Sequence, residues 1–120
     1  MAKGRVLCVD DEPFIRMMMA ECIDTLGLEP IEAATGEEAL DAFSPSAIDL
    51  LITDIRLGGI SGWEVAELAR ALKPELPVIY ISGFPSTGKQ LPDTIYLPKP
   101  FRPRELEAAV CESLGIAEGG

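Results

Sequence analysis

The sequence predicts an α/β domain built on a parallel sheet, with helices packed on both faces. Three observations point there. Short, nearly continuous apolar runs recur at Arg5–Val9, Ile48–Thr53, Val78–Ile81 and Thr94–Leu97, as strands covered on both faces require. Segments with apolar residues at helical spacing separate them, and alternation of the two kinds implies parallel strands joined by crossovers. Each strong run also ends at or just before a polar residue: Asp10 and Asp11, Asp54, Ser82, and Lys99. In an open parallel sheet, ligands and chemistry gather at those carboxyl ends.

The first run ends at Asp10-Asp11-Glu12, and Pro13 suits the first turn of a helix. Acidic residues there favour the positive helix end. Phe14 to Leu26 is predicted helical, with Gly27 as its stop. Pro30–Ala34 is a weaker strand. Thr35 caps a second helix through Phe43, with Glu38 placed to complete a capping box. The central run Ile48–Thr53 ends at Asp54. Ser44-Pro45 before it and Gly58-Gly59 after it leave no room for a helix. Ser61 caps a third helix, with Val65, Ala66, Leu68, Ala69 and Leu72 as its apolar positions. Val78–Ile81 follows, ending at Ser82. From Gly83 to Asp93, Gly83, Pro85, Gly88 and Pro92 oppose a regular helix. Thr94–Leu97 is the fifth strand. The last helix starts at Pro103 or Arg104, with Leu106, Ala109, Val110 and Leu114 on its apolar face.

The 120 residues are expected to form a single domain, 1–120, with one ordinary core. Apolar content of 48% with 25% charged residues fits a soluble globular protein. No apolar run approaches the ~20 residues needed to span a bilayer, and the N-terminus leads straight into a strand without a secretory pattern. A cytoplasmic, membrane-free protein is the expectation. Cys8, Cys22 and Cys111 sit in apolar contexts, as buried reduced thiols do. Without histidine, and with no cysteine pair at ligand spacing, zinc sites and histidine-based catalysis are not expected. The net charge of −10 argues against nucleic-acid binding, which needs a basic face.

Three carboxylates on neighbouring strand ends repel one another, so they need a cation or a raised pKa. A hard divalent ion with oxygen ligands, Mg2+ by preference, answers that need. Lys99 adds a compact ammonium charge for a phosphoryl oxygen, and Ser82 a hydroxyl donor. A carboxylate can itself be a nucleophile, and such a site supplies the positioning and electrostatics of phosphoryl transfer. Each residue alone has an ordinary explanation as helix terminus, turn or solvated lysine. Their joint placement at strand ends is what points to chemistry.

Val9-Asp10-Asp11-Glu12, Leu51-Ile52-Thr53-Asp54, Ile81-Ser82-Gly83 and Lys99-Pro100-Phe101 occur in this order. With them the chain resembles a response-regulator receiver domain of two-component signalling over essentially its whole length. The resemblance implies a flavodoxin-like doubly wound sheet of five strands in the order 2-1-3-4-5. It implies Asp54 as phosphoacceptor, with Mg2+ held by Asp11 and Asp54, by Asp10 through water, and by the backbone carbonyl of Arg56. It further implies Lys99 as the phosphate-binding lysine and Ser82 and Tyr96 as switch residues. The bond before Pro100 is expected to be cis.

Two features depart from that pattern. Leu57-Gly58-Gly59 stands where the family has an apolar residue and proline, and a more mobile loop is expected there. Gly83–Asp93 is too short and broken for the family's fourth helix, which is expected to be shortened or absent. The usual dimer face is thereby in doubt, and a monomer or weak dimer is expected. Helix one carries surplus apolar surface. Phe14, Ile15 and Met18, with Phe101, are expected to face a histidine kinase or histidine phosphotransfer protein; Met suits adaptable contacts. Trp63 is either packing or part of a docking surface.

The expected role is thus a signalling phosphoacceptor and not a classical enzyme, acting on an output protein that the sequence does not name. Two other readings stay open. A phosphorylation-independent pseudo-receiver is disfavoured by the complete acidic set with Ser82 and Lys99. An aspartate-nucleophile phosphatase normally needs a second acid two residues after the nucleophile, where this chain has Arg56.

Overall fold

The computed structural model describes residues 4–83 and 90–116. Five strands and four helices follow one another along them: β1 (Arg5–Val9), α1 (Pro13–Thr25), β2 (Glu29–Ala33), α2 (Gly36–Ala42), β3 (Leu50–Asp54), α3 (Gly62–Leu72), β4 (Val78–Ser82), β5 (Thr94–Pro98) and α4 (Pro103–Leu114). The strands form one parallel sheet in the order β2-β1-β3-β4-β5, as the resemblance implies.

Side chains of a strand alternate between faces, and each face here is sealed by its own pair of helices. Val6, Cys8, Leu50, Ile52, Ile79 and Ile81 pack with Met19 and Ile23 of α1 and with Leu106 and Val110 of α4. Leu7, Val9, Leu51, Val78 and Tyr80 pack with Ala39 of α2 and with Val65, Ala66 and Ala69 of α3. β3 is buried at every position, which explains why its apolar run is unbroken.

Local chemistry sets the helix boundaries. Pro13 occupies the first turn of α1, and Gly27 takes a φ of +79° just past its end. Thr35 caps α2 by accepting from the Glu38 N–H at 3.0 Å. The reciprocal half of the expected box is displaced: the Glu38 carboxylate accepts from Ala34 N–H at 2.9 Å, one residue before the cap. The complete capping box lies instead at α3, between Ser61 and Glu64. The apolar stripe of α3 is also narrower than its spacing suggests. Val65, Ala66 and Ala69 are buried, whereas Leu68 and Leu72 are exposed.

Among the described residues no helix stands between β4 and β5. Gly83 is a bend and residues 90–93 are not helical; residues 84–89, on which most of the expectation of a shortened or absent helix falls, lie outside the described residues. The approach to β5 is pinned from α3. Arg70 donates to the carbonyls of Leu76, Pro92 and Asp93 at 2.8, 2.6 and 3.1 Å. Leu91 N–H donates to the hydroxyl of buried Tyr80 at 3.4 Å, and Trp63 packs on the Tyr80 ring with centroids 4.6 Å apart. Trp63 is thus engaged in packing.

Cys8, Cys22 and Cys111 are all free and buried. Burial, then the charges of Glu32 and Cys22, pushes the Cys8 thiol up to about 12. Burial and Glu107 push Cys22 up to about 11. Both stay protonated and unreactive at neutral pH. No helix among the described residues is long and apolar enough to cross a membrane.

Candidate functional site

Sheet register assembles the site. Val9 pairs with Thr53, so the residues that follow them, Asp10 and Asp54, emerge side by side. Asp54 pairs with Ile81, which brings Ser82 one residue beyond it. Ser82 pairs with Pro98, and Lys99 comes next on the edge strand. The Lys99 N–H donates to the Ser82 carbonyl at 2.7 Å, extending that pairing by one bond. The Lys99–Pro100 bond is cis, as expected.

Asp10, Asp54 and Ser82 are buried, and Asp11 is exposed at the rim. The Lys99 ammonium lies 3.0 Å from Asp54 Oδ2, 3.1 Å from Asp10 Oδ2 and 3.3 Å from Glu12 Oε2. Burial by itself would lower the Lys99 pKa; its hydrogen bond to Asp54, its close contact with Asp10 and both charges outweigh that and hold it above the ordinary lysine range. Asp10 goes the opposite way. Burial raises its carboxyl above the usual value, against the lowering effect of the Glu12 N–H and of Lys99, while the Asp54 charge pushes it further up. The Glu12 N–H reaches Asp10 Oδ1 at 2.9 Å. Asp10 Oδ2 is fully buried and receives no directed hydrogen bond, so its nearness to Lys99 is a charge contact.

Carboxylate oxygens of Asp10, Asp11 and Asp54 lie within 4.8 Å of one another. Three hard oxygen donors, one of them carrying an orphaned buried oxygen, fit a small divalent cation such as Mg2+. The Arg56 N–H donates to Asp54 Oδ1 at 3.2 Å, folding the loop after β3 back over Asp54. Thr53 supports the same residue from beneath, its hydroxyl donating to the Asp54 carbonyl at 2.8 Å.

Tyr96 is half-buried on β5 and packs on the α2–α3 side of the sheet. Phe14 is 70% exposed, whereas Ile15 and Met18 are half-buried against the core. Phe101, expected to face a partner, is buried, because it packs into the core cluster that holds Met19 and Ile23 of α1 and Leu106 of α4. Its remaining surface helps to line a recess of about 310 Å³ with Ile15, Met18, Lys99 and Pro100.

Three contributors escape a sequence reading. Glu12 gives Lys99 a third carboxylate; its position directly after the acidic pair was a signal. Arg16, one helical turn beyond Glu12, donates to the Asp10 carbonyl at 2.7 Å and pairs with Glu32 at 3.4 Å. Gly62 opens α3 against β3, where a Cβ would collide with the Asp54 carbonyl. The Gly58-Gly59 departure also finds a use: Gly59 has φ of +92°, and a Cβ there would lie 2.7 Å from the Glu37 carboxylate.

Known proteins share this fold. The family model for the response regulator receiver domain matches residues 6–111. A probable transcriptional regulator, ycf27 of Cyanidium caldarium, is 36% identical over 110 residues, which cover 88% of this chain and 44% of that protein. The chain spans about half the length of the curated relatives it matches. A CheY-like receiver domain protein of Methanospirillum hungatei superposes with a TM-score of 0.85 at 30% identity, covering 93% of this chain and 94% of that one. The response regulator TrrA of Thermotoga maritima, solved in complex with Mg2+-BeF, gives 0.81 at 37% identity, covering 92% and 99%. With the family model matching most of its length, the chain belongs to the response regulator receiver domains of two-component signalling.

Proposed function

We propose that the chain is a phosphorylation-switched receiver that takes a phosphoryl group from a phosphohistidine onto Asp54. The observation that carries this reading is the meeting of Asp10, Asp54 and Lys99 at buried strand ends, with Asp11 close enough to share a cation. In the transfer, a carboxylate oxygen of Asp54 forms a bond to phosphorus as the N–P bond breaks. The electron pair of that bond stays on the imidazole nitrogen, which then takes up a proton. Asp11 and Asp54, with Asp10 through water and the Arg56 carbonyl, would hold Mg2+, which supplies charge neutralisation to the carboxylates and phosphoryl oxygens.

The chain's own groups do the rest. Lys99 already stands 3.0 Å from Asp54 Oδ2 and exchanges carboxylate contacts for a phosphoryl oxygen. Ser82 turns its hydroxyl towards the new group, and Tyr96 changes rotamer with it, carrying the change to the α3–β5 side. Burial of Asp54 limits the water that would hydrolyse the acyl phosphate. The donor is a histidine kinase or phosphotransfer protein that meets exposed Phe14 and the recess between Ile15, Met18 and Pro100. The output protein is a separate partner or a further part of the same polypeptide.

Intact mass after incubation with acetyl phosphate and Mg2+ tests this proposal. The expected result is one phosphoryl adduct, missing without Mg2+ and from Asp54→Asn. An adduct that survives Asp54→Asn would overturn the assignment of the acceptor.

A further inference from the structure

We propose that Glu37, on α2, is a positioning residue for the cation site, acting through the loop between β3 and α3. The inference rests on the reading of Asp10, Asp11, Asp54 and the Arg56 carbonyl as the Mg2+ site. That loop, residues 55–61, is fastened at three places. At its base Gly62 N–H donates to the Ile55 carbonyl at 2.9 Å, and Gly62 lies against the Asp54 backbone too closely for any side chain. Next to Asp54, the Arg56 N–H closes on Oδ1 at 3.2 Å. At the far tip Glu37 Oε2 accepts from Ile60 N–H at 3.3 Å, tying the loop to α2.

Glycines make that third fastening close. At Gly59 an added Cβ would come within 2.7 and 2.8 Å of the two Glu37 carboxylate oxygens, so the carboxylate is seated on the bare loop backbone. Gly59 has φ of +92°, a conformation that turns the chain to present the following N–H. Beside it, a Cβ on Gly36 would collide with Ile60 and lie 2.9 Å from Val65, so α2 also packs its first turn onto the loop tip and onto α3. Glu37 thus holds the tip of the same short loop that carries Arg56 near its start. Releasing the tip removes the fastening on the far side of Arg56, and a backbone ligand that wanders binds a cation less well.

The position of the anchor sets what the side chain must do. A side chain from α2 can reach the loop only by spanning the gap that Gly59 leaves, and it must accept a hydrogen bond on arrival. Glu does both, and Gln keeps the reach and the acceptor while discarding the charge. Ala discards all three without disturbing the helix.

The test compares the native chain with Glu37→Ala and Glu37→Gln by Mg2+ titration, denaturant unfolding and amide exchange. For Glu37→Ala the expected results are Mg2+ affinity lower by about tenfold, the low end for loss of an outer support, and faster exchange at Ile60 and Arg56. Glu37→Gln should stay within about twofold of the native chain, because it retains the acceptor. Native Mg2+ affinity in Glu37→Ala would overturn the inference while leaving the cation site intact, as would an equal loss in both variants, which would assign the effect to charge. A native chain that binds no Mg2+ would instead overturn the functional reading beneath it.

Discussion

β3 and β5 deliver the two halves of one ion pair from opposite circumstances. β3 runs through the middle of the sheet, buried at all five positions, and carries Asp54 on a backbone gripped from every side. β5 is the edge strand, half-buried to exposed along its length, and carries Lys99 just past its end. Asp54 is held by packing and backbone hydrogen bonds; Lys99 is held by the charges it meets. A central strand thus positions its carboxylate by packing, whereas the edge strand brings in an ammonium group that charge holds in place.

The contrast is sharpest in the core. Ile52→Ala on β3 empties a fully buried site and should cost about 4 kcal/mol of unfolding free energy in urea titrations. Ile95→Ala on β5 should cost about half that, since the side chain is only partly covered and its site can relax. Equal costs would break the comparison.

The next effect is a backbone one. Gly62→Ala sets a methyl against the Asp54 carbonyl, so the central strand must shift; a loss of about 2–3 kcal/mol is expected, together with weaker Mg2+ binding. Gly58→Ala meets open space and should change stability by less than about 1 kcal/mol. The pair separates a glycine needed for close approach from one that is not.

Much of this was legible beforehand. Buried parallel strands are continuous apolar runs, so β1, β3 and β4 are placed within a residue or two, and the polar residue closing each run marks the site. What sequence spacing hides is which neighbours arrive from elsewhere. Leu68 and Leu72 share the helical period of Val65, yet nothing covers their side of α3 among the described residues. Phe101 follows a site lysine, yet it packs into the core between α1 and α4. Gly62 and Glu37 gain their roles only when α3 and α2 dock on the loop after Asp54. A spacing rule describes one element; these roles belong to junctions between elements.

A smaller effect tests the electrostatics. Asp10 has a folded pKa raised above its ordinary 3.8, chiefly by burial, so its ionised form destabilises the folded chain. That cost is absent below the unfolded value, appears as pH rises through the raised folded value, and persists at neutral pH. Asp10→Asn should therefore stabilise the Mg2+-free protein at pH 7, with the gain shrinking as the pH falls towards 3.8. Lys99 has the complementary sign: its folded pKa is raised, so its contribution is complete below 10.5 and is lost only as pH rises through the folded value. A destabilised Asp10→Asn at pH 7 would show that Lys99 overcompensates the burial of Asp10.

The central claim is that the buried carboxylate at the end of β3 is where a phosphoryl group is received. Fluorine NMR of the chain with beryllofluoride, a phosphoryl mimic, examines that claim without any partner protein. Bound fluorine signals are expected in the native chain with Mg2+, absent without the cation and absent in Asp54→Asn. Bound signals that persist in Asp54→Asn would contradict it.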